Sequence, residues 1–285
     1  MVTRRTFATA AVETLTKAGV EDAAFDVQCL LEDFVCLPHG TKPDDILLTA
    51  EQYARLQDAV TARANGRPLQ YILGNWDFLT LTLAVGDGVL IPRADTEILC
   101  TTAAEHLQQK DAPRILDLCA GSGCVGLGIA SLCPAVTVTA VEKSAAAFAF
   151  LQQNCAAYPQ YAVTPVQADI LQDAAAFDGA YDAIVSNPPY IQSDVIATLQ
   201  REVGHEPRMA LDGGADGLCF YRVLADTWAK KLANGGFLAV EIGYDQGAAV
   251  KHLFEQHGLK KVQIIRDFAD NDRVIIGFRC ENAQK

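Results

Sequence analysis

From about residue 95 to its end, the chain alternates short apolar runs with stretches of helical spacing, and this rhythm constrains the fold more than any other feature. The strand candidates are Arg114–Leu118, Val136–Val141, Ala162–Gln167, Ala183–Ser186 and Phe237–Ile242, with helix-like stretches such as Gly126–Leu132 and Ala145–Cys155 between them. A parallel neighbour needs a crossover long enough for a helix, so the alternation predicts an open, mostly parallel α/β sheet. The last two runs, Lys261–Arg266 and Arg273–Phe278, are joined by Asp267–Asp272, which leaves no room for a helix, so these two should pair antiparallel.

The chain before residue 75 reads differently. Phe7, Ala11, Leu15 and Ala18 recur at helical spacing until Gly19 stops them, and Val27, Leu30, Leu31, Phe34 and Val35 repeat the pattern. Thr49 and Gln52 form a capping box ahead of Tyr53, Leu56 and Val60, and Gly66 with Pro68 ends that helix. A small helical domain over residues 1–74 is expected, with a binding or supporting role. Between the two parts, Leu79, Leu81, Leu83 and Val85 alternate with Thr80, Thr82 and Ala84 and lead into Gly86-Asp87-Gly88. That predicts a β-hairpin linker over 75–95, followed by the α/β domain over 96–285.

Composition narrows the partners. The formal net charge is −12, with no basic run, so a phosphate-backbone grip is not expected and a protein or small-molecule partner is. The nine cysteines, Cys36 among them, form no C-x-x-C pair and sit mostly in apolar runs, as reduced thiols of a cytoplasmic protein would. Glu13 and Lys17 break up any signal-like apolar stretch after Arg4 and Arg5, and no run is long enough to span a membrane. The five histidines, including His39, show no ligand spacing, and no metal is expected.

A nucleotide-type site is legible after the first strand. Asp117-Leu118-Cys119-Ala120-Gly121-Ser122-Gly123 is a strand end, a glycine-containing loop and a helix start. Such a loop brings backbone close to a ligand at the carboxyl end of the strand. Glu142 ends the second strand about 20 residues further on, where a carboxylate suits a ribose diol. Asp169, ending the third, is placed to accept from an adenine amino group, with Ile170 against the ring. The glycine loop alone is weak, since nucleotide-dependent dehydrogenases use a similar one.

The sharper signal is Asn187-Pro188-Pro189-Tyr190, directly after the fourth strand. Methylating a planar amide or amino nitrogen requires its hydrogens to be held by acceptors. The Asn187 side-chain oxygen and the Pro188 carbonyl can supply them, Pro189 stiffens the loop, and Tyr190 offers a flat face. A sulfonium donor already carries an activated methyl, so positioning and electrostatics suffice and no dedicated base is needed.

With these motifs in place, the sequence resembles the protein-(glutamine-N5) methyltransferases of peptide-chain release factors. The matching segments are Gly66–Gly74, Leu90–Glu97, Asp117–Gly123, Glu142, Asn187–Tyr190, Glu206-Pro207 with Ala210-Leu211, Gly235-Gly236, and Asp267 with Asn271–Arg273. Ala94 stands where the family usually has a second proline, and Cys119-Ala120 depart from its glycine loop. The resemblance implies a class I S-adenosylmethionine-dependent methyltransferase fold: a Rossmann-like, mostly parallel sheet with an antiparallel terminal hairpin, plus the small all-α N-terminal domain. It implies S-adenosyl-L-methionine as cofactor, held by Asp117, Cys119, Ala120, Gly121, Ser122, Gly123, Glu142, Asp169, Ile170 and Asn187. Asn187, Pro188, Pro189 and Tyr190 are the implied catalytic residues. The implied substrate is the glutamine of the Gly-Gly-Gln motif of class I release factors, bound through the helical domain by a cytoplasmic monomer. Two alternatives stay open: an adenine-N6 or guanine-N2 methyltransferase acting on nucleic acid, because those nitrogens are also planar, and a non-catalytic protein that keeps the fold.

Overall fold

A computed structural model describes residues 2–35 and 46–280, so Cys36 and His39 lie outside the described residues. The chain divides into two compact units, Met1–Asn75 with Gln200–His205, and Trp76–Leu199 with Glu206–Lys285.

The first unit is helical: α1 (Arg4–Lys17), α2 (Ala23–Phe34), α3 (Ala50–Ala64) and the short α4 (Leu69–Leu73). Phe7, Ala11 and Leu15 bury one face of α1, and Val27, Leu30 and Leu31 do the same for α2. The capping box forms as expected. Thr49 Oγ1 accepts the Gln52 N–H at 3.1 Å, and Gln52 Oε1 accepts the Thr49 N–H at 3.0 Å. Gln200–His205 joins this unit because the buried Arg63 donates both to Asp26, at 2.5 Å, and to Glu202, at 2.7 Å. Nothing in the sequence of that segment announced the connection.

The second unit begins with a two-stranded sheet, β1 (Asn75–Phe78) and β2 (Leu81–Ala84). Its turn falls at Leu79-Thr80, with Leu79 at a φ of +52°, rather than at Gly86-Asp87-Gly88. Phe78, Leu81 and Leu83 are buried in the core of the α/β unit. The pair expected as a linker is thus a packed part of that unit.

There follow α5 (Thr96–Leu107), β3 (Arg114–Leu118), α6 (Cys124–Leu132), β4 (Thr137–Glu142), α7 (Ala145–Ala157), β5 (Ala162–Gln167), β6 (Tyr181–Ser186), α8 (Arg208–Leu211), α9 (Cys219–Asp226), β7 (Leu232–Glu241), α10 (Gly247–Gln256), β8 (Lys260–Arg266) and β9 (Asp272–Phe278). The seven-stranded sheet has the order β5-β4-β3-β6-β7-β9-β8. β3 to β7 are parallel, and β9 runs antiparallel to both β7 and β8. Successive side chains of the central strands point to opposite faces. Ile115, Val138, Ala183 and Val185 feed one apolar layer under α5 and α6, while Leu116, Leu118, Ile184 and Val240 feed the other with Tyr221, Trp228 and Phe254. Burial on both faces explains why these strands read as continuous apolar runs. β7 starts at Leu232, so Gly235-Gly236 lies inside the strand, beside a register shift against β6.

Candidate active site

β3 and β6 are neighbours where the strand order reverses, and their register sets Leu118 opposite Ser186. The loops leaving those residues, Cys119–Gly123 and Asn187–Tyr190, therefore emerge side by side at the carboxyl edge, where open α/β sheets leave a crevice. Ser186 Oγ donates to the Leu118 carbonyl at 2.6 Å and ties the two strand ends together. A cleft opens here. Its walls include Cys119, Ala120, Gly121, Ser122, Glu142, Asp169, Ile170, Asn187 and Pro189.

The glycine loop is tight. Cys119 has a φ of +61°, left-handed backbone that costs a residue bearing a Cβ about 1–2 kcal/mol and that glycine adopts freely. A Cβ on Gly123 would lie 2.6 Å from Leu151 Cδ1, so this glycine lets α6 start close against α7 instead of lining the cleft. A Cβ on Gly121 would meet nothing within 4 Å, as expected of backbone that faces open space.

Three carboxylates surround the loop, in different states. Asp117 is fully buried and stands behind the loop, not on the cleft wall. Its Oδ2 accepts the Gly126 N–H at 2.8 Å, and its Oδ1 has no hydrogen-bond partner among the described residues. Burial pushes its pKa up to about 7, against the lowering effect of the Gly126 N–H. Glu142 Oε2 accepts the Gly121 N–H at 2.9 Å and Oε1 the Ser144 N–H at 2.6 Å. Its pKa is raised by burial, with these backbone donors working the other way. A carboxylate has about four lone-pair sites, so Glu142 keeps acceptor capacity towards the cleft. Asp169 is the most committed, to the Leu171 N–H at 3.0 Å, Gln172 Nε2 at 3.1 Å and Lys143 Nζ at 3.0 Å. Burial alone would raise its pKa, but the Leu171, Lys143 and Gln172 donors together lower it. Ile170 is buried, and its carbonyl accepts from Trp228 Nε1 at 2.9 Å. A carboxylate with spare lone pairs, an apolar wall and side-chain-free backbone fit the nucleoside part of S-adenosylmethionine.

At the end of β6, Asn187 Nδ2 donates to Thr96 Oγ1 at 3.2 Å, and Thr96 Oγ1 donates to Glu241 Oε2 at 2.5 Å. Asn187 Oδ1 and the Pro188 carbonyl accept no hydrogen bond from any described residue. Tyr190 and Pro188 are not on the wall of the cleft. The Tyr190 hydroxyl donates to Glu241 Oε1 at 3.3 Å, and both burial and that carboxylate raise its pKa. The loop is clamped from behind: Gln246 Nε2 donates to the Tyr190 carbonyl at 2.9 Å, and the Gly213 N–H to the Ile191 carbonyl at 2.8 Å.

Thr96, Glu241 and Gln246 were missed by reading the sequence. Glu241 had a signal, an acidic residue closing an otherwise apolar strand. Thr96 had none, because it meets its partners only through the fold. Arg93 pairs with the buried Glu206, which also accepts the Ile91 N–H at 3.3 Å, and Glu97 accepts the Leu79 N–H at 2.9 Å, so both pin segments of the unit. His106 and His257 each bond a carbonyl of their own helix, and no described cluster of three or more His, Cys, Asp or Glu could hold a metal. The eight described cysteines are free, and no described helix is long and apolar enough to cross a membrane.

Residues 96–214 match the methyltransferase small domain family and residues 8–74 the PrmC N-terminal domain family. A Caulobacter vibrioides protein named release factor glutamine methyltransferase is 36% identical over 287 residues, covering 95% of this chain and 94% of its own. A Moorella thermoacetica protein of the same name is 38% identical over 278 residues, covering 95% and 96%. Among solved structures, the hMettl16 catalytic domain in complex with the MAT2A 3'UTR hairpin 6 superposes with a TM-score of 0.60 over 92% of this chain and 94% of that one. At 14% identity, that likeness is one of fold alone.

Proposed function

The chain belongs to the release factor glutamine methyltransferase family, and from that premise we propose that its cleft presents the Gly-Gly-Gln glutamine of a class I release factor for methylation at N5. It is a class I, S-adenosylmethionine-dependent protein-glutamine N-methyltransferase. When bound, S-adenosylmethionine supplies an activated methyl group, which leaves positioning and electrostatics to the protein.

The observation that carries the reading is the unused acceptor on the cleft wall beyond β6, Asn187 Oδ1, with the Pro188 carbonyl, equally unused, next to it in the chain though off that wall. An amide nitrogen has two hydrogens and a delocalised lone pair. Two fixed acceptors hold both hydrogens, set the nitrogen's orientation and favour the positive charge that grows on it as the new C–N bond forms. The proton is lost after transfer, when the N–H is acidic, so no dedicated base is required. Tyr190, anchored by Glu241, lies off the cleft wall and is a flat neighbour for the planar amide only where the substrate reaches past that wall, and Pro189 keeps the loop rigid.

On the donor side, Glu142 accepts from the ribose hydroxyls with its spare lone pairs, Ile170 packs on the adenine, and Asp169 accepts from the adenine amino group beside its existing partners. Cys119, Ala120, Gly121 and Ser122 form the wall along the amino-acid part, while Asp117 and Gly123 hold the loop in shape. The helical domain, residues 1–74, recruits the release factor, and 96–285 carries catalysis, with 75–95 leading between them while its β1–β2 pair packs into the α/β core. The enzyme works as a cytoplasmic monomer without gripping nucleic acid, in keeping with its formal net charge of −12.

The test is to offer labelled S-adenosylmethionine with a class I release factor, tRNA, ribosomal RNA and DNA in parallel reactions. Label on the release factor alone is expected. Label on a nucleic acid and none on the factor would overturn the assignment.

A further inference from the structure

We propose that Thr96 and Glu241 are positioning residues that set the polarity of Asn187, forcing its oxygen and not its nitrogen towards the substrate. This rests on the reading above, in which Asn187 Oδ1 accepts an N–H of the target amide.

The argument is one of hydrogen counting. An asparagine amide is nearly symmetric in shape, so packing alone does not decide which end faces the cleft; its hydrogen bonds must. Thr96 and Glu241 are 1% and 2% exposed, so water does not compete for either group. An ionised carboxylate only accepts, and Glu241 is loaded at both oxygens, by Thr96 Oγ1 at 2.5 Å and by the Tyr190 hydroxyl at 3.3 Å. Burial raises the Glu241 pKa, while the two hydroxyl donors and the positive Arg273 work the other way and favour its charged form. The single hydroxyl hydrogen of Thr96 is therefore spent on Glu241, and its oxygen can only accept from the third partner. Asn187 meets that requirement with Nδ2, at 3.2 Å. Turned by 180°, Asn187 would set its oxygen lone pairs against those of Thr96 and offer the cleft two donors. Donors would face the N–H groups of the substrate amide, which is the wrong polarity for holding it. One buried carboxylate thus orients both Asn187, through Thr96, and Tyr190 directly. Thr96 lies on α5, outside both loops though at the wall of the cleft, and does its part through a hydroxyl that a valine of the same shape lacks.

The experiment uses the full chain with Thr96→Val and Thr96→Ser, each alone and combined with Asn187→Ala. It measures kcat and KM for the release factor and the dissociation constant of S-adenosylhomocysteine. Thr96→Val should lower kcat roughly 10- to 100-fold, somewhat less than deleting a direct transition-state contact, with cofactor affinity unchanged. Thr96→Ser, which restores the hydroxyl, should recover most of kcat. In the Asn187→Ala background, Thr96→Val should cost nothing further, because the pair acts through Asn187. Should the valine variant not fold, Thr96→Ala makes the same comparison without a branched side chain. Wild-type kcat in the hydroxyl-free variant, failure of serine to rescue, or additive losses in the double variant would each overturn the pairing while leaving the role of Asn187 intact. Full turnover in Asn187→Ala alone would remove the underlying reading and the pairing with it.

Discussion

On the proposed reading, Asn187 serves turnover and Glu142 serves cofactor binding. Removing the Asn187 acceptor in Asn187→Ala should cut kcat by roughly 100-fold or more, as losing one preorganised polar contact does elsewhere. The affinity for S-adenosylhomocysteine, read by calorimetry, should stay close to that of the wild type. Glu142→Ala should do the reverse, weakening the cofactor by roughly 10- to 100-fold, the worth of hydrogen bonds to a charged group. Its kcat at saturating cofactor should change far less. Equal affinity in Glu142→Ala would remove that residue from the ribose. At this scale the sequence was informative wherever a site is built from neighbours along the chain. Asn187 to Tyr190 and Cys119 to Gly123 are contiguous, so their place at the ends of two strands could be read directly, though not that Pro188, Tyr190 and Gly123 would lie off the cleft wall. The Thr96–Glu241 bond joins residues 145 positions apart, and no spacing rule reaches that far.

The central strands of the α/β unit, such as β6 and β7, were legible because burial on both faces makes them largely apolar runs, while the edge strands β5 and β8 were legible from their spacing between helices and turns. β3 and β5 fall at the expected residues, and β8 and β9 pair antiparallel, as the short connection between them required. Turns were less legible, because their chemistry is ambiguous without the partner strand. Gly86-Asp87-Gly88 has the composition of a hairpin turn, yet β1 and β2 turn at Leu79-Thr80, whose backbone the Glu97 carboxylate holds through the Leu79 N–H. A glycine that bears on the site lies in the loop after α8, where no motif marks it. A Cβ on Gly213 would come within 2.7 Å of Tyr190 Cα and 2.9 Å of the Pro189 carbonyl oxygen. Both neighbours are backbone, so the loop that carries Pro189 and Tyr190 must itself move. Gly213→Ala should therefore lower kcat by roughly 10- to 100-fold, the cost of misplacing reacting groups by about an ångström. Cofactor affinity should hold, since Gly213 is not on the cleft wall. Wild-type kcat in this variant would show that the loop tolerates displacement.

For the whole molecule, the buried acids make stability depend on pH. Asp117 ionises near its ordinary value of 3.8 in the unfolded chain but only at about 7 when folded, because burial disfavours its charge. Between those values the folded chain holds the extra proton, so this contribution is fully present below 3.8 and is lost as pH rises through about 7. Its size is no more than roughly 4 kcal/mol. Urea unfolding of the α/β unit should show wild-type stability falling from pH 5 to pH 8, and Asp117→Asn losing less over the same range. Equal losses would mean that Asp117 is ionised throughout. Glu142 and Glu241, both raised chiefly by burial, should leave a residual slope of the same sign in the variant. Family membership was legible from motifs spread over the whole chain, and it extends through the helical part matched at residues 8–74. The attachment of Gln200–His205 to the helical unit was not legible, since the Arg63–Glu202 ion pair that makes it spans distant sequence. The central claim, that this chain methylates a glutamine amide of a release factor, is tested most directly by fragment mass spectrometry. A class I release factor would be incubated with the enzyme and S-adenosylmethionine, beside a factor whose Gly-Gly-Gln glutamine is replaced. A single added methyl on that glutamine, and none on the replaced factor, is the predicted result. An unmodified glutamine, with cofactor binding confirmed in the same preparation, would contradict it.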